Sequence, residues 1–348
     1  MTHTARLHDR APRPRPGAVA ITLLLAVSLA GAACADGGEE RSENDRIRAI
    51  VLPYLTLMPF HIAAEEGYFA EAGLEVEFVR MTGTLEAISA VAQGQMDVVS
   101  GMLTANVLNA MDRGARLRLV QSVNRLDPEH CTSNAFVVRR EHLESGALAD
   151  PERIRELRWD ADLLLPHGYW IDELLAPWNL TVDDLDLVSL PEPAAVEALI
   201  NDRVDVTVVS EPFLSLAEAD DETATWRATK EIVPDYELSV MMFGPRLLEE
   251  RPELGERFVA AMLRAVRQYA RGETPRNLAI VREATGLSAE QLEAACLPAP
   301  SVDGRIDPAS LMAYQEWSAR RGLTSRVIPE EELVDHRFID AATAALAR

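Results

Sequence analysis

The sequence predicts an α/β protein of two lobes, each a mostly parallel sheet with helices on both faces. Three observations predict it. From residue 48 onward, short strand-like apolar runs alternate with helical stretches, the pattern of a parallel sheet covered by helices. One unit of that pattern recurs, as EAISAVAQGQMDVVSG at 86–101 and PAAVEALINDRVDVTVVSEP at 193–212. Each copy holds a small-residue helix, a polar turn, an apolar residue, an aspartate and a Val-rich strand ending near a serine, so Asp97 and Asp205 correspond. Finally, 348 residues, 48% apolar and 26% charged, are enough chain for two cores.

The elements follow in order. Residues 1–33 read as a secretory signal: Arg6, Arg10, Arg13 and Arg15 make a basic start, and the uncharged run 18–33 (AVAITLLLAVSLAGAA) is shorter than the ~20 residues of a bilayer span. It closes on Cys34 in LAGAAC, which resembles a bacterial lipobox, whose cysteine is lipidated and becomes the new N-terminus. Gly31 stands where a lipobox usually carries leucine; the nearest leucine is Leu29. Residues 34–46 are acidic and glycine-containing, a flexible tether. Strands are then expected at 48–53, 74–80, 96–100 and 117–122, with helices at 58–66, 84–93 and 104–113 between them. A second series places strands at 159–165, 185–190 and 204–209, with helices at 171–176 and 194–200. After 238–243 (LSVMMF) the chain turns mainly helical. No later segment is long and apolar enough to cross a membrane.

Composition narrows the partners. The net charge of −22 argues against nucleic acid. With Cys34 lipidated, Cys131 and Cys296 remain as a pair that an exported protein can join in a disulfide, although the sequence does not establish that they meet. Lysine occurs once, at Lys230. Neither a metal-ligand spacing nor a phosphate-binding or nucleophile-elbow motif is present. No cofactor or metal is expected.

Several stretches together resemble the solute-binding proteins of ABC importers for nitrate, sulfonates, taurine and thiamine-precursor pyrimidines, the NMT1/THI5-like family. They are FHIAAEEGYFAEAGLEVEFV (60–79), the two repeated units, LSVMMFGPRLLEERPELGERFVAAMLRAVRQYA (238–270) and, near the end, IDPASLMAYQEWSARRGLT followed by LVDHRFIDAA. The chain departs from the family at 155–163 (RELRWDADL), where a Leu-Lys-Gly-Lys turn is common. The resemblance implies a periplasmic-binding-protein type II fold with two crossing strands as a hinge, near 135–139 (AFVVR) and at LSVMMF. Lobe 1 would be 47–138 and 238–348, and lobe 2 139–237.

Strand ends that face each other across two lobes make a cleft. Candidate ligand contacts are therefore the loop residues Thr56, Leu57 and Met58 before the first helix, and Gly101 and Thr104 after the third strand. His167 and Tyr169 follow the first strand of lobe 2, and Glu211 ends its central strand. Glu211 would favour a ligand bearing an N–H over nitrate or a simple sulfonate. The function implied is an extracytoplasmic lipoprotein and monomer, anchored at the outer face of the cytoplasmic membrane or in the periplasm, handing a small polar organic solute to an ABC permease. The alternatives are an enzyme on the same fold, pyrimidine-synthase or desulfinase-like, or a sensory binding protein. Against the enzyme, Lys230 lies outside the cleft loops, and Cys131 has only the adjacent His130 as a base, with the two side chains pointing apart in an extended segment.

Overall fold

A computed structural model describes residues 45–81 and 84–348, apart from the side chain of Thr84. The signal, Cys34 and all but the last two residues of the tether lie outside the described residues. The ten strands are β1 (Arg46–Val51), β2 (Glu75–Arg80), β3 (Val98–Gly101), β4 (Arg118–Arg125), β5 (Asn134–Arg139), β6 (Arg158–Asp160), β7 (Asp186–Val188), β8 (Val206–Ser210), β9 (Thr223–Ala228) and β10 (Glu237–Phe243). They form two five-stranded sheets, in the orders β2-β1-β3-β10-β4 and β7-β6-β8-β5-β9. In each sheet one strand runs against the rest: β10 is antiparallel to β3 and β4, and β5 to β8 and β9. Each reversed strand is the one that enters after the chain has crossed from the other sheet.

Burial follows position in the sheet. Every residue of β10 (ELSVMMF) and of β8 (VTVVS) is buried, as expected for central strands covered on both faces. The edge strand β2 (EVEFVR) alternates instead, with Glu75 and Glu77 exposed and Arg46 of β1 paired to both.

The repeated unit builds the same clamp twice. The Asp97 amide donates to the Arg48 carbonyl at 2.9 Å, while its carboxylate accepts from the Arg48 amide at 2.8 Å and from Arg246 at 3.1 Å. In the second sheet the Asp205 amide donates to the Arg158 carbonyl at 2.7 Å, and its carboxylate accepts from the Arg158 amide at 2.7 Å and its guanidinium at 2.8 Å. Burial pushes the Asp205 carboxyl up, but the bonds from Arg158 and His142 outweigh it and hold it at about 2.

Four sequence expectations differ. The strand expected at 159–165 stops at Asp160. The carboxylate of Asp160 accepts from the Leu190 amide and the Thr207 hydroxyl, and Asp162 then turns the chain by accepting from the Leu164 amide. The following helix begins at His167, not 171, started by Pro166 at φ −62. Gly168 is required in it, because a Cβ there would lie 2.7 Å from both Leu163 and the Trp317 ring. An unexpected edge strand, β9 (TATWRA), completes the second sheet. Residues 134–138, which the resemblance puts on the lobe 1 side of the hinge, pair in the second sheet, so the crossings run through 126–133 and 229–236.

The C-terminal third ties the assembly together. Helix Pro252–Tyr269 buries Leu254, Phe258, Met262 and Val266, one residue every four, against the first lobe. Helix Pro308–Arg320 spans both lobes. Near it Asn109 donates to the Leu323 carbonyl at 2.9 Å, while Tyr314 donates to the Leu164 carbonyl at 3.0 Å and Trp317 to Asp172 at 2.7 Å. Cys131 and Cys296 are joined in a disulfide that fastens the first crossing to the segment after the helices. Among the described residues no helix is long and apolar enough to cross a membrane.

Candidate ligand cavity between the lobes

The carboxyl ends of the central strands meet across a cavity between the lobes. The first lobe contributes the loop after β1 (Leu52, Tyr54, Thr56 and Leu57), the end of β3 and its loop (Val99, Ser100, Gly101, Met102 and Thr104), Ile88, and Leu238 and Met242 of β10. The second contributes Leu165, Glu192 and Ser210. The space open to the centre of a water-sized sphere is about 60 Å³, enough for a few waters or a small solute. Contacts between the lobes hold its two walls together. The Ala105 amide donates to the Leu164 carbonyl at 2.8 Å, the Leu55 amide reaches the Glu211 carbonyl at 3.4 Å, and the Tyr54 ring meets the edge of Phe213 at 6.1 Å.

The lining is mainly aliphatic, with hydroxyls from Tyr54, Thr56, Ser100, Thr104 and Ser210 and one carboxyl, Glu192. Among the described residues no Arg, Lys or His lines it. Glu192 opens helix Glu192–Ile200 and is buried. One carboxyl oxygen accepts from the Ser210 amide at 2.9 Å and the other from the Ser210 hydroxyl at 3.3 Å, which itself accepts from Asn134 at 2.6 Å. Burial raises the Glu192 pKa to about 8, against the downward pull of the Ser210 bonds. At neutral pH the group is mostly protonated and is both donor and acceptor. The Tyr54 phenol is pushed well up, first by burial and then by the charge of Glu192, which places the two groups near each other. Thr104 caps helix Ala105–Asp112 by accepting from the Val107 amide at 3.3 Å, which leaves its hydroxyl proton for another acceptor.

Of the residues expected from sequence, Thr56, Leu57, Gly101 and Thr104 come together here. The other four lie elsewhere. Met58 is buried at the start of its helix and lines a groove outside the cavity. His167 is buried against the Trp170 ring at 5.5 Å, and burial alone brings its pKa down to about 4, leaving it neutral. Tyr169 packs among Tyr236, Tyr314 and Trp317. Glu211 is buried with its carboxylate turned away from the cavity, accepting from the Cys296 amide at 3.0 Å and from the Ser215 amide and hydroxyl at 3.2 and 2.8 Å. Burial raises its pKa, opposed by those bonds. Sequence reasoning passed over Glu192, Ser100, Tyr54 and Ser210 as contacts. The signal for Glu192 was the PEP before a helix, which sets a carboxylate in the first turn at the cleft end of a β-α unit.

Two sheets of this topology with a cavity between their strand ends define the periplasmic-binding-protein type II fold. Residues 40–282 match the model of the NMT1-like family, and the chain belongs to that family. Among solved structures it is similar to the periplasmic nitrate-binding protein NrtA of Synechocystis PCC 6803, at 13% identity over 87% of this chain and 89% of that one, with a TM-score of 0.73. It is also similar to the zinc-bound ligand-binding component of an ABC-type import system from Staphylococcus aureus, at 14% identity over 86% and 99% of the two chains, TM-score 0.71. The desulfurization enzyme DSZB shares the fold as well, at 16% identity over 87% and 99%, TM-score 0.62. None of the curated protein sequences matches.

Proposed function

We propose that this protein is the solute-binding component of an ABC importer, exported and lipid-anchored through Cys34, which encloses a small organic solute between its lobes and passes it to a permease. The observation that carries the reading is the interlobe cavity, walled by strand ends of both lobes, with hydroxyls and one carboxyl set in an aliphatic lining. Within the nitrate, sulfonate, taurine and aminopyrimidine range of the family, the lining favours a solute that is uncharged or carries an N–H. A neutral Glu192 gives and takes a hydrogen bond, and facing a cationic solute it would lose its proton to the solvent. Nitrate and sulfonates meet no cation there.

The enzymatic reading has less support. Lys230 donates to the Pro128 carbonyl at 3.1 Å and to the His130 carbonyl, in the crossing segment. Cys131 is spent in the disulfide. No cavity hydroxyl has a histidine beside it to act as a base.

A thermal-shift screen at pH 7 over nitrate, taurine, alkanesulfonates, aminopyrimidines and other amino-containing heterocycles tests the proposal. A ligand at 100 times its Kd stabilises by about 2.7 kcal/mol. A shift with an N–H-bearing heterocycle and none with nitrate is expected; stabilisation by nitrate alone overturns the solute assignment. Mass spectrometry of the mature N-terminus checks the anchor, with a diacylglyceryl group on Cys34 expected and a free terminus at Ala33 or Ala35 refuting it.

A further inference from the structure

Behind the loop after β1 lies a second, larger groove. Measured as the inner cavity was, it opens about 370 Å³ against about 60 Å³. Leu52 and Tyr54 line both spaces and so form the wall between them. The outer groove is bounded by His61, Arg80 and Met81 of the first lobe, Phe213 of the second, and Leu287 beyond the helix Pro275–Thr285.

Its chemistry is opposite to that of the inner cavity. The chain carries 56 acidic against 34 basic residues, yet among the described residues no Asp or Glu lines this groove, and an Arg and a His do. Arg80 is the last residue of β2, so it stands at the carboxyl end of an edge strand, where α/β sheets receive ligands. Among the described residues its guanidinium has no hydrogen-bond or ion-pair partner, unlike Arg46 beside it, which holds Glu75 and Glu77. The His61 ring lies 5.5 Å from that of Phe78; burial, then the charge of Arg80, lowers its pKa, so at neutral pH it offers an N–H and no charge. The rest of the wall is apolar.

We propose that the outer groove is a second binding site, which takes a small amphipathic organic acid with its anionic head on Arg80 and His61 and its apolar body against Met81, Phe213 and Leu287. A guanidinium is the donor best shaped for a carboxylate, sulfonate or phosphate head. The surrounding apolar wall contributes in proportion to the area it covers.

The test uses hexanoate as the probe, hexanamide as its uncharged isostere, and calorimetry at low salt on the full mature protein. Hexanoate binding should weaken roughly tenfold in Arg80→Gln, the effect of one charge-assisted contact, and should weaken with added salt. Arg113→Gln removes the same charge from an exposed helix end away from the groove and should change it less than about twofold. Hexanamide affinity should be the same in all three proteins. A crystal soaked in 6-bromohexanoate should place the bromine against Phe213 and Leu287. Equal effects of the two arginine variants, the bromine in the inner cavity, or no hexanoate binding to the wild type would each overturn the proposal.

Discussion

The two lobes repeat one another up to the ends of their central strands and diverge beyond them. Asp97 and Asp205 each exchange two backbone bonds with the neighbouring first strand and each take an arginine as well. At the end of β3 Gly101, and in the loop beyond it Thr104, line the cavity. At the end of β8 only Ser210 does so, Glu211 beyond it turns to Cys296 and Ser215, and the carboxyl in the cavity comes from a different element, the helix opened by Glu192. What repeats is scaffold, because backbone pairing of parallel strands demands it of both lobes. What differs is the chemistry of the lining, because strand pairing does not constrain the residues beyond the strand ends.

The largest test of the comparison removes the shared clamp. Asp97→Ala and Asp205→Ala each leave a backbone amide without its acceptor, while Arg246 keeps the Arg46 carbonyl and Arg158 keeps Asp202, and each should cost about 1–3 kcal/mol in urea unfolding. Similar losses are expected in the two lobes. A loss under about 1 kcal/mol in either would mean that one clamp is ornamental and the repeat is not a physical one.

Within the second lobe, Asp205 and Glu192 should answer to pH in opposite senses. Asp205 has a folded pKa of about 2, below its unfolded value, so its stabilisation is present above about pH 4 and is lost as pH falls through 2. Glu192 is the reverse case. Its folded pKa of about 8 exceeds the unfolded value, so the stability tied to its proton is full below about pH 4.5 and is lost as pH rises through 8. Glu237, raised to about 7 chiefly by burial, has the same sign. Unliganded wild type should therefore lose stability from pH 5 to 8, at up to about 1.4 kcal/mol per pH unit for each group. Glu192→Gln should flatten the upper part of that fall, above the range where Glu237 has already titrated. An unchanged slope between pH 7 and 8 would mean that Glu192 is already charged in the folded protein.

Periodicity and the repeated unit made most of the architecture legible in advance, since burial imposes a pattern wherever a strand is covered on both faces. The exceptions are instructive. β9 (TATWRA) is an edge strand with polar residues at half its positions, so it carries no apolar run to read. β6 ends early because the side chains of Asp160 and Asp162 bind backbone amides, and that competition is invisible in a hydropathy pattern. At the site, strand order located the loops holding Thr56, Gly101 and Thr104. It could not tell which way a side chain turns after its strand ends. Glu211 follows Ser210 directly, and successive side chains of an extended chain point to opposite sides. Likewise His167 and Tyr169 entered the helix because it starts four residues before the apolar pattern does.

The finest test separates the two carboxyls on either side of Ser210. Glu211→Gln keeps the shape but replaces one carboxylate oxygen with a donor. Facing the Cys296 amide and the amide and hydroxyl of Ser215, it can no longer accept from all three. One lost bond should lower stability by about 1 kcal/mol while leaving the affinity for an inner-cavity ligand within about twofold. Glu192→Gln cannot ionise, so it should weaken an N–H-bearing cationic ligand about tenfold or more, with a much smaller effect on a neutral one. Calorimetry on both variants, with one ligand of each charge, yields four affinities. If Glu211→Gln costs more affinity than Glu192→Gln, then Glu211 must swing into the cavity when ligand is present, and the division between a cavity carboxyl and a buttress carboxyl fails.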